Sequence, residues 1–397
     1  MTQYIKIFYL FLKNKDQFKQ KSKFMKKIKV LTVFGTRPEA IKMAPVVMEL
    51  NKYPDIFESI VCVTAQHRQM LDQVLELFNI KPDFDLNVMK PDQDLWHLTS
   101  DVLLQMKDVF EKTSPDIVLV HGDTTTTLAA SLSAFYAKIP VGHVEAGLRT
   151  FNKYYPFPEE INRVVADAVS TFYFAPTQRS VDNLKNSGIK DNIYLTGNTV
   201  IDALLYTVEN HKVDLSALNL DKNLKTILLT SHRRENFGKP LEDICTAVRI
   251  LVEKNPDIQV VYPVHLNPNV RKTVFEMLDN ISRIKLIDPL DYAPFASLIK
   301  DSYIILTDSG GIQEEAPSLG KPVLVLRDET ERPEAIEYGT VKLVGSNVEK
   351  IVNTVQELLD SEENYKKMAS AVNPYGDGLA SKRIIEAIRG NITIITN

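Results

Sequence analysis

The chain lacks the features that mark several common classes of protein. It has only two cysteines in 397 residues, Cys62 and Cys245, far apart and each in an apolar stretch. With no CxxC and no Cys/His zinc spacing, a disulfide scaffold and a structural zinc module are excluded, and two reduced core thiols are expected. No run of 18 apolar residues exists, so no transmembrane helix is predicted. The dinucleotide fingerprint GxGxxG is missing. Its nearest match, Gly376-Asp-Gly378, has Ser381 in place of the third glycine and no preceding strand. Walker A is missing too, so NAD and ATP held by their usual loops are not expected.

A strong excess of one charge is also lacking. The net charge is −4, but residues 1–27 carry eight Lys and one Asp, which leaves −11 on the remaining 370. A mildly acidic body argues against nucleic-acid binding. Any anionic ligand therefore needs cations gathered locally. Tyr4–Leu12 is apolar and followed by Lys13, but it is short, bulky and without a small-residue cleavage site, unlike a signal peptide. Met25-Lys26-Lys27-Ile28 reads like a second start. Residues 1–25 are thus expected to be an extension outside the fold of a cytoplasmic protein, with a weak basic membrane-surface anchor as the lesser alternative.

Short β-branched runs alternate with helical patterns. Strands are predicted at Ile28–Phe34, Ser59–Thr64, Ile117–His121, Pro140–Val144, Phe172–Ala175 and Ile193–Thr196. The second half adds Thr226–Thr230, Gln259–Val264, Ile284–Ile287, Tyr303–Thr307, Pro322–Leu326 and Val341–Val344. Helical patterns between them include Gln69–Phe78, Leu128–Ala137, Leu241–Glu253 and Val348–Leu359. Runs apolar throughout suit strands covered on both faces. Repeated β–α units imply parallel sheets with right-handed crossovers. Twelve strands are too many for one ordinary sheet, so the expected fold is α/β with two Rossmann-like, doubly wound domains. The predicted division is 26–199 and 200–376, with a final helix in about 377–397 packing back on the first domain.

In open α/β sheets ligands bind beyond the carboxyl ends of strands, and the polar residues gather there. Gly35-Thr-Arg-Pro-Glu-Ala-Ile-Lys42 opens a helix with capping-box spacing between Thr36 and Glu39. Its free N–H groups, with Arg37 and Lys42, suit an anion. Asp308-Ser-Gly-Gly311 is a second such turn, and Glu315 one turn on is placed to accept ribose hydroxyls. Asp123 and Glu145 end successive strands, and Glu159-Glu160 starts another helix after Pro156-Phe-Pro158. Crowded carboxylates suit acid/base chemistry, because like charge raises one or more pKa values. A structural Asp at a strand end and a metal site of His121, Asp123, His143 and Glu145 are the competing readings, although no HExxH or facial-triad signature supports a metal. The run Thr124–Thr127 reads as a helix cap.

Nine ordered motifs resemble the non-hydrolysing UDP-N-acetylglucosamine 2-epimerases of bacteria. They are Phe34-Gly-Thr-Arg-Pro-Glu-Ala-Ile-Lys42, Thr64-Ala-Gln-His-Arg68, Val120-His-Gly-Asp-Thr-Thr-Thr-Thr127, Gly142-His-Val-Glu-Ala-Gly-Leu-Arg149, Pro158-Glu-Glu160, His232-Arg-Arg-Glu235, Tyr262-Pro-Val-His265, Thr307-Asp-Ser-Gly-Gly-Ile-Gln-Glu-Glu-Ala-Pro317 and Glu331-Arg-Pro-Glu334. The resemblance spans about Lys29 to Ile388. It implies a glycosyltransferase-B type fold with the active site in the interdomain cleft, a homodimer, and no nicotinamide or metal cofactor. It also implies interconversion of UDP-N-acetylglucosamine and UDP-N-acetylmannosamine for surface polysaccharide.

Carried over residue by residue, the resemblance gives Asp123, Glu145, Glu159 and His232 acid/base roles. Arg37, Lys42, His232, Arg332 and the Ser309–Gly310–Gly311 backbone then face the diphosphate, Glu315 the ribose and Phe295 the uracil. A regulatory UDP-N-acetylglucosamine site is implied at Gln66, Gln69, Arg233 and His265. One position departs from the family pattern: Asp101 stands where an Arg is expected. The alternatives are a hydrolysing 2-epimerase that releases UDP, a glycosyltransferase of the same fold, and a nucleotide-sugar sensor without activity.

Overall fold

The computed structural model describes residues 26–65, 68–90, 93–391 and 395. The chain forms two compact units. One runs up to Thr196 and takes up the chain again from Ser381; the other is Gly197–Ala380.

Among the described residues the first unit holds a seven-stranded sheet: β1 (Ile28–Phe34), β2 (Phe57–Val63), β3 (Phe84–Asp85), β4 (Ile117–His121), β5 (Val141–Val144), β6 (Phe172–Ala175) and β7 (Ile193–Leu195). Its spatial order is β3-β2-β1-β4-β5-β6-β7, and every pairing is parallel. The second unit has β8 (Lys225–Thr230), β9 (Ile258–Pro263), β10 (Ile284–Ile287), β11 (Ile304–Thr307), β12 (Val323–Val325) and β13 (Val341–Leu343). Their order is β10-β9-β8-β11-β12-β13, again all parallel. Both sheets are Rossmann-like and doubly wound. The order reverses between β1 and β4 in one sheet and between β8 and β11 in the other, so each sheet has a switch point where side chains at the strand ends face an open crevice. The fold is of the glycosyltransferase-B type.

The strands form where the sequence is apolar on both faces. Ile117–His121 is buried at every position because helices cover both sides of the sheet. Leu31, Val33, Cys62, Met106, Val118 and Val120 belong to the first core. Ile227, Leu229, Cys245, Val248, Val260 and Tyr262 belong to the second. Cys62 and Cys245 are buried and unpaired, as the sequence predicts. Sequence patterning missed β3. It is two residues at the sheet edge, paired Cys62 to Phe84 and Val63 to Asp85, too short to carry an alternation. No described helix is long and apolar enough to cross a membrane. The extension 1–25 lies outside the described residues.

Candidate active site

In the first unit the switch point is built around Gly35. A Cβ at that position would lie 1.9 Å from Thr64 Oγ1 and 2.7 Å from Thr126 Oγ1, so only glycine lets the chain leave β1 this close to its neighbours. Thr36 then caps helix Arg37–Asn51 with a complete capping box. Glu39 accepts from the backbone N–H groups of Gly35 (3.1 Å) and Thr36 (2.7 Å). Its other oxygen accepts from the hydroxyls of Thr124 (2.7 Å) and Thr127 (3.4 Å). Burial raises the Glu39 carboxyl above its usual range against the pull of these donors. Glu39 therefore joins the two loops that meet at the switch point. Arg37, half-buried, stands in the first turn of the same helix. Lys42 lies one turn further and pairs with Glu145.

Three predicted carboxylates gather at this carboxyl edge. Asp123 is raised above its ordinary range, because burial, with Glu145 and Glu159 nearby, outweighs the attraction of Arg163 and Lys42. Its carboxylate accepts from the Arg163 guanidinium at 2.6 Å, and its backbone carbonyl from Asn162 at 2.9 Å. Glu145 has a backbone φ of +65°, a left-handed conformation that a non-glycine residue adopts only when its surroundings enforce it. Gly122, at φ +67°, leaves room beside it: a Cβ there would come 3.6 Å from Glu145 Oε1. Glu159 begins helix Glu159–Val169, and its Oε2 is buried with no hydrogen-bond partner among the described residues. Glu160 is structural. It accepts from the N–H groups of Thr150 (3.0 Å) and Phe151 (2.9 Å) and so fixes the preceding loop. His121 Nε2 lies 3.7 Å from Glu145 Oε2. Burial, with Lys42 and His143 nearby, pushes this imidazole down to about 3 despite the pull of Glu145, so it is neutral.

The metal arrangement weighed from His121, Asp123, His143 and Glu145 does not fit this geometry. His143 is wholly buried, with Nδ1 on Asp167 (2.6 Å) and Nε2 on the Gly122 carbonyl (2.7 Å). Neither nitrogen is open to an ion.

In the second unit the switch point is organised by Asp308, a fully buried residue at the end of β11. Its Oδ2 accepts from the Ser231 hydroxyl (3.0 Å), the backbone N–H groups of His232 (2.8 Å) and Arg233 (2.9 Å), and the Asn236 amide (2.9 Å). Its Oδ1 lies 3.3 Å from His232 Nδ1. The carboxylate thus folds the Ser231–Asn236 loop around itself and sets its second oxygen beside the His232 ring. Burial lowers the His232 pKa, with Asp308 opposing and Arg233 and His265 adding to the effect. His265 stacks on His232 with ring centroids 5.6 Å apart. The Ser309–Gly311 turn differs from expectation in one respect: the Ser309 N–H already donates to Thr307 Oγ1 at 2.9 Å. The Gly310 and Gly311 backbone and the Ser309 side chain are left as the candidate anion contacts. Arg332 and Arg233 both approach Gly310, within 3.6 and 3.8 Å of where a Cβ would stand. Arg332 is steered by Glu314, 2.6 Å from its Nε. Glu315 is buried and close enough to the Tyr292 hydroxyl to raise its pKa further, beyond the larger effect of burial. Phe295 sits half-buried on the same helix as Tyr292, Tyr292–Asp301.

A model of the UDP-N-acetylglucosamine 2-epimerase family matches residues 48–389. The chain belongs to the UDP-N-acetylglucosamine 2-epimerase family. It is 58% identical over 368 residues to the UDP-N-acetylglucosamine 2-epimerase of Bacillus subtilis strain 168, covering 92% of this chain and 96% of that protein. The crystal structure of the Neisseria meningitidis UDP-N-acetylglucosamine 2-epimerase bound to UDP-N-acetylglucosamine matches with a TM-score of 0.82 at 54% identity, over 92% of this chain and all of that one. The Methanocaldococcus jannaschii 2-epimerase in complex with UDP-N-acetylglucosamine and UDP matches with a TM-score of 0.74 at 35% identity, over 92% of this chain and 100% of that one.

The residues that the 2-epimerase resemblance linked to regulation are not all in one described place. Gln66 lies outside the described residues, and Gln69 is exposed in the first turn of helix Arg68–Leu77. Arg233 and His265 flank His232 in the second unit. Asp101, the position that departs from the family pattern, is held by Lys90 at 2.6 Å. Sequence reading missed Asn162, Arg163, Asp167 and the role of Asp308. The first three follow Glu159 on one helix. The signal that could have found them is an Asn, an Arg and an Asp on a helix whose other residues after Glu160 are all apolar, placed where it must pack against strand ends.

Proposed function

We propose that the chain interconverts UDP-N-acetylglucosamine and UDP-N-acetylmannosamine by elimination and re-addition of UDP. The observation that carries this reading is the group of three carboxylates, Asp123, Glu145 and Glu159, with Lys42 among them, in a chain of this family. The C2 hydrogen has no adjacent carbonyl, so a simple carbanion is unfavourable. In the proposed route a carboxylate takes the C2 proton, the C–H electrons form the C1–C2 double bond, and the bond from C1 to the diphosphate oxygen breaks. The products are 2-acetamidoglucal and UDP. In the return step the diphosphate oxygen adds to C1 while C2 receives a proton on the opposite face.

The role of each residue follows its chemistry. Arg37, Lys42, His232, Arg332 and the Ser309–Gly311 turn stabilise the leaving diphosphate; losing one such contact costs about 10²–10³ in rate in other enzymes. Glu315 takes the ribose and Phe295 the uracil. Asp123, whose carboxyl burial raises above its ordinary range, is the best suited of the three carboxylates to carry a proton. His232, kept mostly neutral, is suited to shuttle one. The product serves surface-polysaccharide synthesis, and the working form is a homodimer. UDP-N-acetylglucosamine activates through Gln66, Gln69, Arg233 and His265; full activity on UDP-N-acetylmannosamine alone would remove that regulatory part.

The test is proton NMR in D₂O with either UDP-sugar. Deuterium at C2 with both epimers present is expected. Epimers that interconvert with the C2 proton retained would refute elimination. Steady accumulation of free UDP and N-acetylmannosamine would make the chain a hydrolase.

A further inference from the structure

The buried His143 takes no part in the chemistry above, yet it grips the backbone between the two catalytic strand ends. We propose that His143 is a positioning residue which, held by Asp167 and Arg149, fixes the Gly122–Asp123 turn against Glu145. This inference rests on the proposed epimerase reading.

The argument begins with donors and acceptors. Nε2 of His143 faces the Gly122 carbonyl at 2.7 Å, and Nδ1 faces Asp167 Oδ1 at 2.6 Å. Both ring nitrogens are thus engaged, one by a carboxylate and one by a backbone carbonyl, and neither is left to another partner. Asp167 is 1% exposed, and its second oxygen accepts from the Arg149 guanidinium at 2.6 Å. Burial alone would raise the Asp167 carboxyl, but His143 and Arg149 hold it below its usual range. The row Arg149–Asp167–His143–Gly122 is therefore a chain of charge-assisted contacts that leaves the imidazole one orientation.

That orientation matters because of what adjoins Gly122. Its N–H donates to the Val144 carbonyl at 2.9 Å, so residues 143 and 144 of β5 hold both sides of Gly122. The next residue after Gly122 is Asp123, and the next after Val144 is Glu145, the two carboxylates assigned to proton transfer. Gly122 and Glu145 both have left-handed backbones, which costs glycine nothing but which Glu145 keeps only where its surroundings hold it. Helix Glu159–Val169 adds ties of its own, from Asn162 to the Asp123 carbonyl and from Arg163 to its carboxylate. The same helix supplies Asp167. One imidazole thus bridges β5 and the β4 turn at the point where the spacing of the two carboxylates is set. A displacement of about 1 Å there is enough to cost ~10²-fold in rate.

The test compares two substitutions that keep a polar amide in the pocket. His143→Gln places a donor near the Nε2 position and keeps the bond to Gly122. His143→Asn places one near Nδ1 and keeps only the bond to Asp167. The full-length chain is assayed for kcat and KM on UDP-N-acetylglucosamine, for UDP binding by calorimetry, and for Tm. The expected result is a kcat loss of about 10²-fold in His143→Asn with KM and UDP affinity within about threefold. His143→Gln should recover at least tenfold of that loss at a similar Tm. Asp167→Asn, which frees the ring without removing it, is expected to lower kcat by a smaller factor. The inference is overturned if His143→Asn keeps wild-type kcat, if Gln and Asn lose kcat equally, or if the loss follows Tm or lies in KM. A wild-type chain that does not equilibrate the two UDP-sugars overturns instead the epimerase reading.

Discussion

At the scale of single residues, the first unit sets neighbouring groups to opposite protonation tendencies. Burial drives Asp123 toward holding its proton and His121 toward losing it. Within one cluster, a carboxyl group is thus made a better proton carrier while the adjacent imidazole is kept uncharged. Asp123→Asn keeps the shape and the contact with Asn162 through the backbone, but removes the titrating group. It is expected to lower kcat by about 10²–10⁴-fold while UDP affinity, measured by calorimetry, stays within about threefold. Equal loss of UDP binding would assign Asp123 to ligand affinity rather than proton transfer.

His121 also makes a stability prediction. Its folded pKa is about 3, well below the roughly 6.5 of an unfolded histidine. Between those values the unfolded chain binds the extra proton and the folded chain does not. Stability is therefore fully present above about pH 6.5 and declines as pH falls toward 3. From pH 7 to pH 5 this one group removes about 2 kcal/mol. In urea unfolding, His121→Gln should lose less stability over that interval than the wild type. An unchanged slope would show that the ring protonates in place.

At the scale of elements, the legible parts were those set by local chemistry. The capping box Thr36/Glu39, the Thr124 cap and the apolar runs of β1, β4, β8 and β11 follow from side-chain type and spacing alone. So does the gathering of polar residues at strand ends, because a strand covered on both faces can place polar groups only where it emerges. The rest depends on non-local pairing. Strand order cannot be read from a period of two, and β3 is too short to have one. Asp308 read as part of a glycine turn, but its chemistry is that of a buried acceptor for a loop 72 to 77 residues earlier. Asn162 and Arg163 act on the backbone carbonyl and the carboxylate of Asp123, 39 to 40 residues earlier, and Asp167 on the ring of His143. Partners at such distance are specified by the packing of a helix on a sheet, which no window of sequence contains.

At the scale of the whole molecule, the path of the chain makes the two units unequal. Gly197–Ala380 is one continuous stretch, whereas the first unit is closed by residues from beyond it. Helix Ala380–Gly390 supplies that closure. Ile384, Ile385 and Ile388 are buried, the Arg383 guanidinium donates to the Thr196 carbonyl at 3.0 Å, and Asn391 to the Tyr194 hydroxyl at 2.7 Å. The first unit, which carries Asp123, Glu145 and Glu159, therefore depends on a segment almost 200 residues later than its last strand. Removing a buried isoleucine side chain costs about 2–5 kcal/mol, whereas an exposed change on the same helix costs within about 0.5 kcal/mol. Ile388→Ala is accordingly expected to lower unfolding free energy by about 2–5 kcal/mol and Lys382→Ala to leave it nearly unchanged, as measured by urea titration. Ligand linkage locates the loss: UDP at about 100 times its Kd adds roughly 2.7 kcal/mol to whatever unfolds with its site. If UDP is held chiefly by the second unit, it should leave the transition weakened by Ile388→Ala less protected than the remainder. Equal protection of both would mean that the two units unfold as one.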